Sequence, residues 1–269
     1  MKKAIILAGG LGTRMRQMDS SARLEAQQEA VAQTGLKAMI PFEKPFLDYV
    51  LSGLADAGYQ DVCVVIGPEH GAVQHYYRVE APPKRILIAF AIQEQPRGTA
   101  DAVLSAERFV GGEDFVCMNS DNYYPTLGLR QLRELNEPGV LLFDRATLTA
   151  GGNISSEKIH KFAICEVSED GYLRAIVEKP PESAWSEVGG HSLISMNCWR
   201  FGSSIFEVCR RAPLSPRGEV ELPVAVGAAI QNFGLRLRAV RCYEAVLDLS
   251  SRADIVSVGE KLRGISVNP

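Results

Sequence analysis

Four short runs dominated by β-branched and other apolar residues recur through the first half of the chain: KAIILAG at 3–9, DVCVVIG at 61–67, ILIAFAIQ at 86–93 and DFVCMNSD at 114–121. Between them lie stretches with apolar residues at helical spacing, Phe46 to Ala57 and Thr99 to Phe109. A near-continuous apolar run has no polar face to give to water, so each reads as a strand buried on both sides. Strands that alternate with helices form parallel neighbours joined by right-handed crossovers. The fold class this predicts is α/β, a Rossmann-like doubly wound sheet that is mostly parallel. Such sheets hold their ligands at the carboxyl ends of the strands, where the glycines after residue 8 and the Asn119-Ser120-Asp121 step fall.

The pattern changes after Gly139. VLLFDRA and then KFAICEVSEDGYLRAIVEKP read as strands, the latter a hairpin turning at Glu169-Asp170-Gly171, so the second half makes the sheet mixed. Helices are expected near 203–211 and 219–231. No Pro/Gly/Ser linker divides the chain, which reads as one domain, 1–269, with halves at 1–138 and 139–269. No hexapeptide period is present, so no C-terminal β-helix is expected. The polar, alanine-rich stretch from Ser20 to Gln33 reads as an exposed helix with a serine cap, serving as a lid or an interface.

Composition narrows the partners. The net charge is −3, and the 29 Lys and Arg are scattered singly or in pairs, which argues against nucleic acid. Six cysteines stand far apart with no CxxC step and no histidine at zinc-ligand spacing, as expected of reduced thiols in the cytoplasm. No apolar stretch reaches the ~18 residues of a membrane span, and AIILA is far shorter than a signal h-region. No membrane partner is expected.

The stretch AIILAGGLGTRM, residues 4–15, carries the first chemistry. Successive backbone N–H groups in a glycine loop form a concave anion site, and a nearby arginine adds a forked cation suited to phosphate. A tight strand-to-helix connection would look the same. A dinucleotide fingerprint beginning at Gly10 would need a glycine where Met15 stands, and a Walker loop would need Gly-Lys-Ser/Thr. Read singly, Asp121 could cap a turn, Lys179 could be a solvated turn lysine, and LDLSS at 247–251 could be a strand end with a helix cap at Ser250 or Ser251.

Taken together and in order, these stretches resemble the sugar-1-phosphate nucleotidylyltransferases, the pyrophosphorylases that make nucleotide sugars. AGGLGTRM is similar to the signature loop, LKAMIPFEKPFLDYV to the block with the phosphate lysine, and QEQPRGTADAV to the block that reads the base. NSDN resembles the metal-binding step, VEKP the sugar-phosphate block, PRGEVELPVAV the Arg-Gly-Glu segment, and AVLDLSSRADI the closing block. The resemblance spans about residues 3 to 260. It implies a nucleotide-diphospho-sugar transferase fold, with 1–138 the nucleotide half and 139–269 the sugar-phosphate half.

The resemblance also implies roles. Leu7, Ala8, Gly9, Gly10, Gly12, Thr13, Arg14, Gln93, Gly98 and Thr99 would bind nucleotide, and Glu178, Lys179 and Asn197 the sugar phosphate. Arg14, Lys37, Asp121 and Lys179 would be catalytic, with Asp121 and Asp248 holding Mg²⁺. The reaction implied joins an NTP to a sugar 1-phosphate, releasing pyrophosphate, with dTTP or UTP favoured. Transfer to phosphocholine or a heptose phosphate, and a silent regulatory module that binds nucleotide sugars, stay open as alternatives. A homo-oligomer is permitted.

Several positions depart from the family pattern. Leu36 stands where a proline commonly precedes the lysine, and the separation from Arg14 to Lys37 is longer than usual. Ala163 replaces a glycine, Ser120 replaces the glycine of a Gly-Asp step, and SMNCW stands for an Asn-x-Gly segment.

Overall fold

The structure is a computed structural model that describes residues 1–20, 22–181, 185, 193–215 and 218–269. Its strands are β1 Lys3–Leu7, β2 Asp61–Ile66, β3 Leu87–Ile92, β4 Phe115–Asn119, β5 Asn122–Tyr123, β6 Gly139–Asp144, β7 Ala163–Val167, β8 Leu173–Val177, β9 Leu193–Phe201, β10 Arg238–Cys242 and β11 Leu247–Asp248. The main sheet runs β10-β6-β9-β4-β1-β2-β3, with β7 and β8 attached through β9. Every strand on this path but β9 points the same way, because β1 pairs in parallel with β2 and β4, β2 with β3, and β6 with β10. The mixed, mostly parallel α/β sheet expected from the sequence is the one observed.

Alternate residues of each inner strand feed opposite faces. Ala4 and Ile6 pack with Leu47, Leu51 and Leu54 of the helix Phe46–Asp56, while Ile5 packs with Ala100 and Val103 of the helix Thr99–Ser105. All three β1 residues are fully buried, so the strand has no face left for a polar side chain. At the sheet edge this demand lapses, and Leu87 of β3 is 73% exposed.

The chain leaves β1 for β2 and β3 on one side, then returns to lay β4 on the other, which makes the gap between β1 and β4 a switch point. In register, Leu7 stands beside Asn119, so the glycine loop and the Asp121 turn leave the sheet side by side. The Ser120 N–H donates to the Leu7 carbonyl at 3.1 Å and fixes that neighbourhood.

Three helix boundaries differ from expectation. The helix in the 20–33 region is Ala26–Thr34, capped reciprocally by Glu25 and Gln28 rather than by a serine. The run from Thr99 breaks at Ala106 into Thr99–Ser105 and Glu107–Val110, whose last carbonyls, those of Phe109 and Val110, accept from Lys3 Nζ at 2.9 Å. The late helix begins at Leu222, three residues after Glu219, because Val220 and Glu221 are held extended against the Gly98 loop. Among the described residues no helix is long and apolar enough to cross a membrane.

Candidate functional site

A cleft of about 810 Å³ opens at the carboxyl ends of β1 and β4, and all sixteen site residues expected from the sequence line it. The glycine loop forms its floor. Gly12 has φ +60°, and a side chain there would meet the Gly35 carbonyl at 2.1 Å, so both conformation and contact require glycine. At Gly10 the backbone faces open space, which leaves room for a ligand to lie against its amide. Thr13 begins a four-residue helix that carries Arg14, whose side chain is exposed and makes no hydrogen bond or ion pair among the described residues.

Lys37, in a short 3₁₀ turn, reaches across to Asp121, with Nζ 2.8 Å from Oδ2. Asp248 arrives from the far end of the chain. β11 pairs antiparallel with β5, setting Asp248 opposite Asn122, and the Leu249 N–H donates to the Asp121 carbonyl at 2.8 Å. Asn122 Nδ2 and Ser250 Oγ both donate to Asp248 Oδ1 at 3.0 Å. Asn153 locks the backbone of Asp248 with two bonds of 2.8 Å. Burial, and then the charge of Asp121, pushes the Asp248 carboxyl up to about 6.

On the nucleotide side, Gln93 is 6% exposed at the end of β3, and its Nε2 donates to the Gly98 carbonyl at 3.0 Å and to Asp101 Oδ2 at 2.9 Å. Two acceptors fix the amide orientation, so Oε1 is left as an acceptor, facing Gly9. Thr99 Oγ1 is engaged in accepting the Leu222 N–H at 2.8 Å. Gly98 has φ +117°, and a side chain there would strike the Val220 carbonyl at 2.5 Å. The loop at 97–100 is thereby sewn to the segment carrying Glu219 and Glu221.

The three residues expected to meet the sugar phosphate, Glu178, Lys179 and Asn197, sit where strand ends meet. Ala163 of β7 pairs with Ser195 of β9, and Ile164 pairs with Val177 of β8, bringing Glu178-Lys179 and Asn197 to one edge of the cleft. Lys179 (φ +46°) and Asn197 (φ +59°) are the non-glycine residues with left-handed backbone among those described. Such strain is costly and concentrates at functional sites. Lys179 Nζ lies 3.4 Å from Glu221 Oε1 and 3.6 Å from Glu178 Oε1. Asn197 Oδ1 is buried with no hydrogen-bond partner among the described residues, which leaves it able to accept from a ligand.

Sequence reasoning missed Lys158, His160, Lys161 and Glu221, which also line the cleft. Lys158 is ion-paired with Asp254, and His160 meets Trp185 edge-on with ring centroids 4.9 Å apart. The available signal for Lys158 was the Ser155 cap, whose hydroxyl accepts from the Lys158 N–H and starts the turn that carries it. Trp199 is fully buried core, away from the cleft. Arg217 of the Arg-Gly-Glu segment lies outside the described residues.

Residues 3–233 match the family described as Nucleotidyl transferase. A glucose-1-phosphate thymidylyltransferase of Streptomyces antibioticus is 31% identical over 86% of this chain and 58% of its own length. A low-salt glycan biosynthesis nucleotidyltransferase of Haloferax volcanii is 25% identical over 86% of this chain and 57% of its own length. The chain thus spans less than two thirds of either relative. Among solved structures, a UDP-glucose pyrophosphorylase complexed with UDP-glucose superposes with a TM-score of 0.74 at 19% identity, covering 97% of both chains. A UDP-glucose pyrophosphorylase from Acinetobacter baumanii gives 0.74 at 17%, covering 100% of this chain and 96% of the other. Because the family match runs over residues 3–233, most of the chain, this chain belongs to the nucleotidyl transferase family.

Proposed function

We propose that the protein is a sugar-1-phosphate nucleotidylyltransferase, joining an NTP and a sugar 1-phosphate into an NDP-sugar with release of pyrophosphate. The observation that carries this reading is the convergence, on one cleft, of an anion-binding glycine loop, the Lys37–Asp121 pair, Asp248 and Lys179. Two polyanions must be brought together, and the acceptor phosphate oxygen must attack the α-phosphorus in line as pyrophosphate leaves. That phosphate is already ionised at neutral pH, so no general base is needed.

In this reading the loop amides and Arg14 hold the β- and γ-phosphates. Lys37 meets the charge that grows on the transferring phosphoryl group, and Lys179 grips the acceptor phosphate. Glu178 and Asn197 offer acceptors to sugar hydroxyls. Asp121 and Asp248 suit magnesium, which takes one or two carboxylates and fills its remaining positions with phosphate oxygens and water. Their mutual repulsion, part of what lifts the Asp248 carboxyl, is the chemistry of a donor pair that favours a cation. Bound there, the ion would neutralise charge on the triphosphate.

Gln93 supports dTTP or UTP. With both its amide hydrogens engaged, it has only Oε1 to offer; thymine and uracil present an N3–H donor, as guanine does at N1, where cytosine and adenine present a ring acceptor, so the amide sets dTTP and UTP apart from CTP and ATP. A cytoplasmic setting accords with six free, buried cysteines. The experiment is pyrophosphate release with Mg²⁺ across ATP, GTP, CTP, UTP and dTTP against a panel of sugar 1-phosphates. A productive pair with dTTP or UTP is expected. Silence across the grid, with triphosphate binding retained, would instead favour an unusual phosphorylated acceptor or a binding module.

A further inference from the structure

We propose that Arg252 is a positioning residue that holds the glycine loop in its binding shape, with Glu29 of the helix Ala26–Thr34 as its counter-ion. The inference rests on the reading that this loop receives the triphosphate. Arg252 is the first residue of the helix Arg252–Leu262, four residues after Asp248, and is 2% exposed. Its Nε donates to the Met15 carbonyl at 2.9 Å, one residue beyond Arg14. Its Nη1 donates to both carboxylate oxygens of Glu29. A buried guanidinium without a counter-ion is strongly unfavourable, so Glu29 keeps Arg252 in place and Arg252 keeps Met15 in place.

The helix Ala26–Thr34 touches the loop at two further points. Arg16 Nε donates to the Thr34 carbonyl at 3.0 Å, and Gly12 lies directly against the backbone of Gly35. Lys37 follows two residues later, so the same contacts carry the lysine that meets Asp121. The start of the helix Arg252–Leu262 is itself fixed, since Asp254 Oδ2 accepts from the backbone N–H groups of Ser250 and Ser251 while Lys158 pairs with Asp254. The Ala26–Thr34 helix is therefore a strut behind the cleft, whose lining resumes at Gly35. A loop rich in glycine would otherwise lose much conformational freedom on binding, and ordering it beforehand removes that cost from the binding step.

The test compares the wild-type chain with Glu29→Ala, Glu29→Gln and Arg252→Lys by calorimetric titration with UTP and dTTP in the presence of Mg²⁺, by the KM of each substrate, and by hydrogen exchange at the amides of 9–16. Glu29 has a third of its side chain exposed, so its variants keep the test alive if Arg252→Lys fails to fold. Glu29→Ala and Arg252→Lys are expected to weaken triphosphate binding about tenfold, leave the acceptor KM within about twofold and speed exchange in the loop. Glu29→Gln, which retains an acceptor for Nη1, should fall between. Unchanged triphosphate affinity, or equal rises in both KM values in step with a lowered Tm, would overturn the assignment. A wild-type chain that binds neither nucleotide would remove the triphosphate reading and this inference with it.

Discussion

Asn122 stands opposite Asp248 in the β5–β11 ribbon, and its side-chain amide donates to Asp248 Oδ1 at 3.0 Å. Asn122 follows Asp121 directly in the chain. A backbone register pair thus delivers one carboxylate beside another across the length of the sequence, and a side chain then orients it. Groups that orient a metal-binding carboxylate typically change affinity ~10–100-fold when removed. Asn122→Ala is therefore expected to raise the Mg²⁺ concentration for half-maximal pyrophosphate release by about tenfold or more. An unchanged magnesium dependence would show that Asn122 serves only the ribbon.

Asp248 allows a prediction with opposite signs for activity and stability. Its carboxyl is raised in the folded chain from 3.8 to about 6. The protonated form is thus favoured by the fold, and stability falls as pH rises through that interval, with the full penalty present above it. Asp248→Asn removes the charge while preserving shape. In EDTA near pH 8 the variant should melt roughly 2–6 °C higher than wild type, and the difference should shrink near pH 4. Its turnover in Mg²⁺ should be lost. A lower Tm at the higher pH would show that Asp248 is stabilised as an anion without metal.

At the other end of the cleft, Lys179 lies between Glu178 and Glu221 on left-handed backbone. Charge-assisted bonds to phosphate are among the strong ones, so Lys179→Ala should raise the KM for sugar 1-phosphate roughly 10–100-fold with the NTP KM changed less than about threefold. Lys179→Gly, which tolerates the φ of +46° and also lacks the cation, should behave alike. If the two variants differ greatly, backbone strain rather than charge carries the effect. Selective loss of NTP affinity would put the lysine on the wrong substrate.

Much of this arrangement was legible in the sequence, and the exceptions share a cause. β1, β2 and β4 are buried runs and β3 is a half-buried edge run, all with local bounding residues, and the residues placed on loops just after them, from Gly9 to Asp121, all reached the cleft. The start of the Ala26–Thr34 helix was misplaced because a serine pair is a common cap, whereas the cap used is Glu25 with Gln28. The break at Ala106 has no local marker. It accompanies the return of Phe109 and Val110 to Lys3, a contact more than a hundred residues distant in sequence. Lys158, Glu221 and Arg252 were overlooked for the same reason: each is tied to the site or its support through a partner far away in the chain, Asp254, Lys179 and Met15 respectively.

Gln93 gives a prediction about choice of base. Its Nε2 is held by Gly98 and Asp101, so the side chain cannot rotate to present a donor without abandoning its bond to the Asp101 carboxylate. In the proposed reading a base with a donor in the facing ring position would be preferred, and a base with an acceptor there would meet an uncompensated oxygen. Gln93→Ala removes the preference along with the bond. The kcat/KM for dTTP or UTP should fall about 10–100-fold, while that for ATP should change much less. The measurement is the nucleotide grid repeated with the variant at fixed acceptor. If dTTP, UTP and ATP all fall by the same factor, Gln93 shapes the Gly98 loop without reading the base. If the dTTP and UTP values alone fall, the acceptor oxygen at Gln93 is what the chain uses to tell those nucleotides from ATP and CTP.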